Sequence, residues 1–277
     1  MPADGINNPP EHPLKEFVIV VPIVFACLAI VGGLVVFMVD LAVPFISPEV
    51  EHRILGPVAE KVWSELSAEG QDEAANEALK EVFDRVRVQG PELPIDLKAR
   101  VVCMDMANAF ALPGGGIAVT SGLLHALERE DELAFILGHE VGHFANRDHI
   151  RGLGRGLILS VMMAVVFSAG SVDGDGFSGS MLEGLLAGHS RDQEMEADQL
   201  GAQAAVALYG HIQGGTMSMK RLSELSGEGT LDALDFSRSH PVGEVRNRAM
   251  AEFAEKNNWQ GTGDSPPLNS RLKQACK

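Results

Sequence analysis

Residues 17–39 form an unbroken run without a single charged side chain. As a helix, this run would be about 34 Å long, which exceeds the roughly 30 Å hydrocarbon core of a bilayer. A cleaved signal peptide is the competing interpretation, but its apolar region is only about 7 to 15 residues long and follows a basic segment. Here the preceding residues carry more acidic than basic side chains. The sequence therefore favours a transmembrane anchor.

The net charge and the cysteine content exclude several classes of protein. The chain has 38 Asp plus Glu residues against 22 Lys plus Arg residues, a formal net charge of -16 at pH 7. A surface of this sign repels phosphate backbones, so no nucleic acid partner is expected. The cysteines are Cys27, Cys103 and Cys276, too few for a disulfide framework or a Cys-rich zinc module.

Hydrophobic periodicity and turn residues predict a mostly helical α+β domain. Apolar residues recur at helical spacing over residues 48–88 and again from Glu130 onward. Residues 101–103 and Gly116–Thr120 are short apolar runs bounded by proline or glycine, which is typical of strands. A small sheet therefore precedes the helix that begins near Glu130.

A second apolar stretch covers residues 157–169. It is short for a membrane span and predicts a buried, re-entrant or interfacial helix. A long helical region is expected over residues 181–225, and the polar segment after Trp259 is expected to be loose. The predicted organisation is an N-terminal segment (1–16), a transmembrane anchor (17–46), one main domain (47–257) and a polar C-terminal tail (258–277).

The sequence His139-Glu140-Val141-Gly142-His143 is an H-E-x-x-H motif at the end of a predicted amphipathic helix. Residues four apart share a helix face, so both imidazoles can bind one ion while Glu140 lies beside an open coordination position. This pattern is typical of a zinc site with a general base. Two histidines on a solvated helix face are the alternative without a metal.

A catalytic zinc takes three protein ligands and leaves the fourth position for water, so a third ligand is expected. His149 has the spacing of the metzincin motif, but Asn146 stands where that motif needs glycine. Glu194 lies on a separate predicted helix and shares a face with Asp198, whose carboxylate can accept a hydrogen bond from a ligand histidine. The residues favour Glu194 over His149.

Four ordered blocks carry a resemblance to a known family: N-A-F-A-L-P-G-G at 108–115, H-E-x-x-H at 139–143, E-M-E-A-D at 194–198, and S-H-P at 239–241 with Arg246. The chain is similar to the HtpX-like and CAAX prenyl endopeptidase-like membrane zinc peptidases, which are gluzincins with a zincin-like metalloprotease domain. The likeness covers about residues 50–255. The single predicted span departs from the several spans of these proteins and resembles the single-anchor members.

The resemblance implies a role for each block. Glu194 would be the third zinc ligand. His240 and Arg246 would lie near the metal and stabilise negative charge on the oxygen of the scissile carbonyl. The first block would lead into an edge strand that pairs with the peptide substrate, and this substrate-binding set is Gly116, Ile117, Ala118 and Val119.

Two of these blocks also have a purely structural interpretation. Spacing alone favours an ordinary strand and turn over residues 108–115. Ser239 and Pro241 are also residue types that commonly begin a helix, because serine caps the first turn and proline suits its first position.

Together these observations predict a membrane-anchored zinc metalloendopeptidase that binds one Zn²⁺ per chain through His139, His143 and Glu194, with Glu140 as the general base. Its substrates would be unfolded or flexible polypeptides, and its N-terminal helix would contact the bilayer. Resemblance to the single-anchor members implies an outward-facing domain on a bacterial inner membrane. The alternatives are a non-catalytic membrane-tethered adaptor with a structural or absent zinc, and a metzincin-type protease that uses His149.

Overall fold

The protein is described by a computed structural model, and its class is the predicted one: α+β, mostly helical, with a small sheet and an N-terminal apolar helix. The predicted apolar segment at 157–169 lies outside the described residues. The described residues are 13–68, 70–112, 114–152, 154, 188–226, 239–241 and 243–277.

Helices make up most of the described residues, and a short 3-10 turn at Val43–Phe45 follows the first helix. The first helix is apolar enough to cross a membrane, with a mean hydropathy of 2.9 and only 6% of that window buried. The helices are α1 (Pro13–Ala42), α2 (Pro48–Leu66), α3 (Glu73–Arg87), α4 (Ser121–Ala126), α5 (Glu130–Ala145), α6 (Arg191–Tyr209), α7 (Gln213–Ser226), α8 (Glu244–Lys256) and α9 (Ser270–Lys273).

The sheet has three strands, β1 (Lys98–Val102), β2 (Ala109–Leu112) and β3 (Gly116–Thr120), in the order β1-β3-β2. Strand β3 pairs in parallel with β1 and antiparallel with β2, and it is buried along its length. The expectation that Gly116–Val119 forms an edge strand is therefore wrong. Gly114 and Gly115 have positive φ angles of 80° and 96°, which allow the chain to reverse after β2. Strand β3 then lies in the centre of the sheet because it pairs with β1 as well as with β2.

Helices α5 and α6 approach each other closely through glycine. A Cβ atom on Gly142 would lie 2.8 Å from the Cα atom of Ala197, and one on Gly138 would lie 3.0 Å from the Cα atom of Gly201. Only residues without a side chain allow backbones this close. The contact brings the first turn of α6 against the last turns of α5.

The long helical region expected up to residue 225 is two helices. Helix α6 ends at Tyr209, and Gly210 adopts a left-handed conformation with φ of 80°. This is the ordinary glycine termination of a helix. Helix α7 then begins at Gln213 and packs back against α5.

The C-terminal segment is packed on the domain, so the expectation of a loose tail is wrong. Leu268, Leu272 and Ala275 are at most 5% exposed. The backbone N–H of Leu268 donates to the carbonyl of Glu128, and the Lys273 ammonium donates to the carbonyls of His125 and Leu127 at the end of α4. A few apolar side chains at spaced positions are enough to fix a segment whose average composition is polar.

A disulfide joins Cys103, directly after β1, to Cys276 across 173 residues of chain. The low cysteine count excluded a framework of several disulfides but not a single one. This bond fixes the C-terminal segment to the sheet, while Cys27 is free and exposed on α1.

Removing this disulfide is expected to destabilise the domain. Because the bond closes a long loop in the unfolded chain, Cys103→Ser with Cys276→Ser should lower the free energy of unfolding by about 2–5 kcal/mol. Thermal unfolding in detergent measures the change, and Cys27→Ser is the matched control. An unchanged melting temperature, together with two reactive thiols in the wild-type domain, would contradict the bond.

Candidate metal centre

Helix α5 carries the H-E-x-x-H motif into the middle of the protein. His139, Glu140 and His143 are each 1% exposed. The two Nε2 atoms of the histidines face each other at 3.0 Å. Burial raises the pKa of Glu140 above the ordinary value for glutamic acid, as expected for a carboxylate taken out of water. The motif therefore places two imidazoles and a carboxylate of raised pKa in one buried pocket.

Helix α6 supplies the third predicted ligand from its first turn. Ser190 and Gln193 form a capping box that fixes the start of this helix. Glu194 follows directly and is 1% exposed. One of its carboxylate oxygens lies 3.4 Å from His143 Nε2, and the other lies 3.7 Å from His139 Nε2. The structure therefore brings the three predicted ligands together.

Each ligand histidine has its Nδ1 atom against a buried carboxylate. His139 Nδ1 lies 3.0 Å from Asp198 Oδ1, and His143 Nδ1 lies 2.9 Å from Asp148 Oδ2. In a neutral ring, an Nδ1–H that donates to a carboxylate leaves a lone pair on Nε2. The facing Nε2 atoms then repel each other, and a cation between them relieves this repulsion.

The distances among the donor atoms fit zinc. Bonds of about 2.0–2.1 Å in a tetrahedral site place ligand atoms roughly 3.4 Å apart. The separations of 3.0, 3.4 and 3.7 Å among the three ligands bracket this value. His139, His143, Glu194 and His240 each offer one ligand atom within 4.8 Å of the others.

The pKa values of the two histidines shift in opposite directions. Burial, followed by the charge on His143, lowers the pKa of His139 to about 4. Burial also disfavours the charged form of His143, but hydrogen bonds to Asp148 and Glu194 outweigh it and raise the pKa to about 9. Burial raises the pKa of Glu194, whereas the neighbouring histidines hold it well below its ordinary value. The pocket therefore favours one positive charge between the rings.

His240 lies within the cluster of predicted metal ligands. Its Nδ1 atom is 3.1 Å from His139 Nε2 and 3.1 Å from Glu194 Oε1. Its Nε2 atom is 3.6 Å from Glu140 Oε1. In this arrangement His240 offers a fourth donor atom, the third nitrogen, on the side where Glu140 lies.

Arg246 holds the carboxylates of α6. Its guanidinium donates two hydrogen bonds to Asp198, at 2.8 and 2.6 Å, and lies 2.5 Å from Glu194 Oε2. It also donates to the carbonyl of Pro241. These contacts orient Glu194, the third predicted ligand, and Asp198, the carboxylate beside His139 Nδ1.

His149 does not join the cluster. Its Nε2 atom lies 2.8 Å from Glu51 Oε1, and its ring stacks on Phe144 with centroids 4.2 Å apart. Asn146, at the position of the metzincin glycine, has a right-handed φ of -80°. The geometry therefore gives no support to the metzincin alternative.

Three residues of the site escaped sequence reasoning. Asp148 Oδ2 lies 2.9 Å from His143 Nδ1. Glu51 binds the two residues on either side of Asp148. The His189 ring stacks on the His143 ring with centroids 4.0 Å apart, and the backbone N–H of His189 donates to the carbonyl of Ser239. Burial strongly lowers the pKa of His189. His189 directly precedes Ser190, which caps the helix that carries Glu194. This position next to a predicted ligand helix could have indicated His189 from the sequence.

The S-H-P block does not begin a helix. Helix α8 begins at Glu244 after Gly243. Ser239 instead lies against the N-A-F block, with its Oγ atom 3.5 Å from Asn108 Oδ1. This contact links the start of β2 to the residue before His240.

A buried H-E-x-x-H helix with a glutamate ligand from a second helix is the arrangement of a gluzincin metallopeptidase. The model of peptidase family M48 matches residues 73–254, and the chain belongs to this family. The resemblance to the HtpX-like peptidases is thereby confirmed, and zinc is the metal that the donor set fits.

Several characterised relatives carry metalloendopeptidase or protease names. Mitochondrial metalloendopeptidase OMA1 from Arabidopsis thaliana is 30% identical over 159 residues, which is 57% of this chain and 32% of the relative. The HtpX protease homologue of Pyrococcus abyssi is 36% identical over 129 residues, 38% of this chain and 44% of the relative. That of Salinibacter ruber is 30% identical over 174 residues, 57% of this chain and 61% of the relative. The matched part is thus less than two thirds of each relative.

Proposed function

We propose that the protein is a membrane-anchored zinc-dependent metalloendopeptidase that hydrolyses peptide bonds in unfolded or damaged proteins. The observation that carries this proposal is the convergence of His139, His143 and Glu194 around one position, with the buried Glu140 carboxylate beside it. A purely structural zinc site has no use for such a carboxylate. Membership of a peptidase family supports the same activity.

In this proposal, His139, His143 and Glu194 hold the ion. Bound zinc supplies a Lewis acid that lowers the pKa of a coordinated water toward about 7 and polarises the scissile carbonyl. Glu140 takes the proton of the attacking water and returns it to the leaving amine. Its raised pKa makes it a stronger base than an exposed glutamate.

His240 would donate a hydrogen bond to the oxygen of the scissile carbonyl after leaving the position of a fourth donor. Its position 3.1 Å from Glu194 Oε1 supports this role, because the scissile carbonyl would bind beside the same metal position. Arg246 would act by holding Glu194 and Asp198 in place.

We propose β2, rather than Gly116–Val119, as the strand that pairs with an extended substrate. Among the described residues, β2 pairs with β3 on one side only. The contact between Asn108 and Ser239 keeps this edge close to His240. Main-chain pairing needs a flexible segment and is tolerant of sequence, which supports unfolded polypeptides as the substrates.

The catalytic domain is proposed to face outward on a bacterial inner membrane, with residues 17–46 as the anchor after the segment 1–16. The disulfide between Cys103 and Cys276 supports this side, because structural disulfides persist in oxidising compartments. The domain would comprise residues 47–257, with residues 258–277 packed on it. Digestion of the domain by protease added to intact spheroplasts would support the orientation, and protection would contradict it.

A non-catalytic adaptor with a closed zinc site is the second candidate. The observation in its favour is His240, because four protein donors leave no position for water. The buried Glu140 carboxylate argues against the adaptor, because a purely structural zinc site has no use for it.

Metal content and proteolysis, measured together on the purified full-length chain in detergent, test the proposal. We expect one zinc per chain and cleavage of casein that a chelator abolishes and added zinc restores. Bound zinc without cleavage, in protein shown to be folded, would favour the adaptor. Absence of both zinc and cleavage in freshly purified, folded protein would contradict the metalloendopeptidase and leave an adaptor without zinc.

A further inference from the structure

The turn after the metal-binding helix has an unusual backbone. Arg147 adopts φ of 60°, a left-handed conformation that residues with long side chains rarely take. If α5 continued as a helix, Asp148 would lie about 140° around the axis from His143. Because the chain reverses at Arg147, Asp148 instead returns to within 2.9 Å of His143 Nδ1. The orientation of this ligand therefore depends on the turn.

The side chain of Arg147 is bound by the segment that follows the anchor. It donates a hydrogen bond of 3.0 Å to the carbonyl of Val43 and another to the carbonyl of Ile46. Its Nη2 atom donates to Glu51 Oε2 at 2.6 Å. All three partners lie between the end of α1 and the first turns of α2.

Glu51 also binds the residue on the other side of Asp148. Its Oε1 atom accepts a hydrogen bond of 2.8 Å from His149 Nε2. Glu51 is 2% exposed, His149 is 3% exposed and Asp148 is fully buried. One buried carboxylate thus fixes the two neighbours of the aspartate that orients the ligand.

A second chain of contacts joins the anchor to the same aspartate. Arg151 lies 3.6 Å from Asp40, in the last turn of α1, and 3.3 Å from Asp148 Oδ1. A Cβ atom on Gly154 would lie 2.7 Å from the Cγ1 atom of Val39. The segment after α5 therefore packs directly on the C-terminal end of the anchor.

We propose that Glu51 is a positioning residue of the metal centre: by binding Arg147 and His149 on either side of Asp148, it orients the ligand His143 and couples the zinc site to the membrane anchor. This inference rests on the proposed zinc site but not on proteolysis. No part of Glu51 reaches the metal position, so its action passes through the turn. The carboxylate is held ionised, since His149 and Arg147 outweigh burial and lower its pKa.

Glu51→Gln in the full-length chain tests the proposal, because it keeps the shape and removes the charge. We expect zinc affinity, measured by competition with a chromogenic chelator, to weaken about 10- to 100-fold, as for other partners of metal ligands. The visible absorption of the cobalt-substituted protein should change, and kcat should fall while KM stays within about twofold. Asp148→Asn should give the same changes, and the double variant should add little to them.

Glu49→Gln is the matched control, since Glu49 is an exposed carboxylate on the same helix that hydrogen-bonds Ser47. If Glu51→Gln does not fold, Arg147→Lys replaces it, because lysine keeps the charge but its single nitrogen cannot reproduce the contacts that Arg147 makes separately through Nη1 and Nη2. A loss of thermal stability with wild-type zinc affinity and cobalt spectrum in the folded variant would overturn the proposal. A Glu51-dependent zinc affinity in a chain that never cleaves casein would uphold it and reject the proteolytic function instead.

Discussion

Glu140→Gln is expected to retain one zinc per chain and to lower kcat for casein cleavage by about 10²- to 10⁴-fold, the usual contribution of a general base. The amide has nearly the volume of the carboxylate, so the 1% exposed position should remain filled. However, an amide cannot take the proton of the attacking water. Glu140 is also not one of the grouped metal donors, so metal binding should persist.

Zinc content, kcat and KM of Glu140→Gln and wild type, measured in the same detergent, provide the comparison. Glu196→Gln is the control, because Glu196 is an exposed glutamate near the metal ligands that bonds only Asn146 among the described contacts. Wild-type turnover by Glu140→Gln would reject Glu140 as the base. Loss of zinc in this variant would instead make Glu140 a ligand.

Glu194→Ala is expected to lose zinc itself. The substitution removes one of the three ligands and leaves Arg246, which is 4% exposed, with an unpaired contact next to the metal position. The Arg246 charge is then balanced by Asp198 alone and repels the cation more strongly. Since removal of an outer hydrogen-bond partner already weakens binding about 10- to 100-fold, loss of the ligand should weaken it by more than about 100-fold.

Two further variants give this result its meaning. Glu196→Ala removes an exposed carboxylate two residues further along α6 and should keep its zinc. His149→Ala should keep most of its zinc while losing stability, because its ring packs on Phe144 and bonds Glu51. If Glu194→Ala were to retain zinc fully and His149→Ala were to lose it entirely, the third ligand would be His149 and the gluzincin assignment would fail.

Local patterns determined much of the site. The helical repeat places His139 and His143 on one face, and it places Glu194 and Asp198 on another, since residues four apart are neighbours on any α-helix. The apolar run at 17–39 predicted α1 from length alone. These predictions needed no knowledge of packing, because the distances involved lie within a few residues of the chain.

Other features depend on residues that are far apart in sequence. Glu51 reaches His149, and Cys103 reaches Cys276, only because separate helices and strands pack together. The order β1-β3-β2 is decided in the same way, since a strand pattern predicts pairing but not which strand lies at the edge. The polar C-terminal segment shows the same limit, because Leu268 and Leu272 find their partners on the folded domain.

The sequence by itself predicted the apolar helix α1, the types of the candidate ligands and the pairing of residues along each helix. Only the tertiary structure decided the central position of Gly116–Thr120, the approach of His240 to the candidate ligands and the contacts that run from the end of α1 through Glu51 to His143. The physical reason is the distance along the chain over which each kind of interaction acts. Backbone geometry fixes neighbours within one helical turn, whereas burial of the whole core selects the contacts between distant segments.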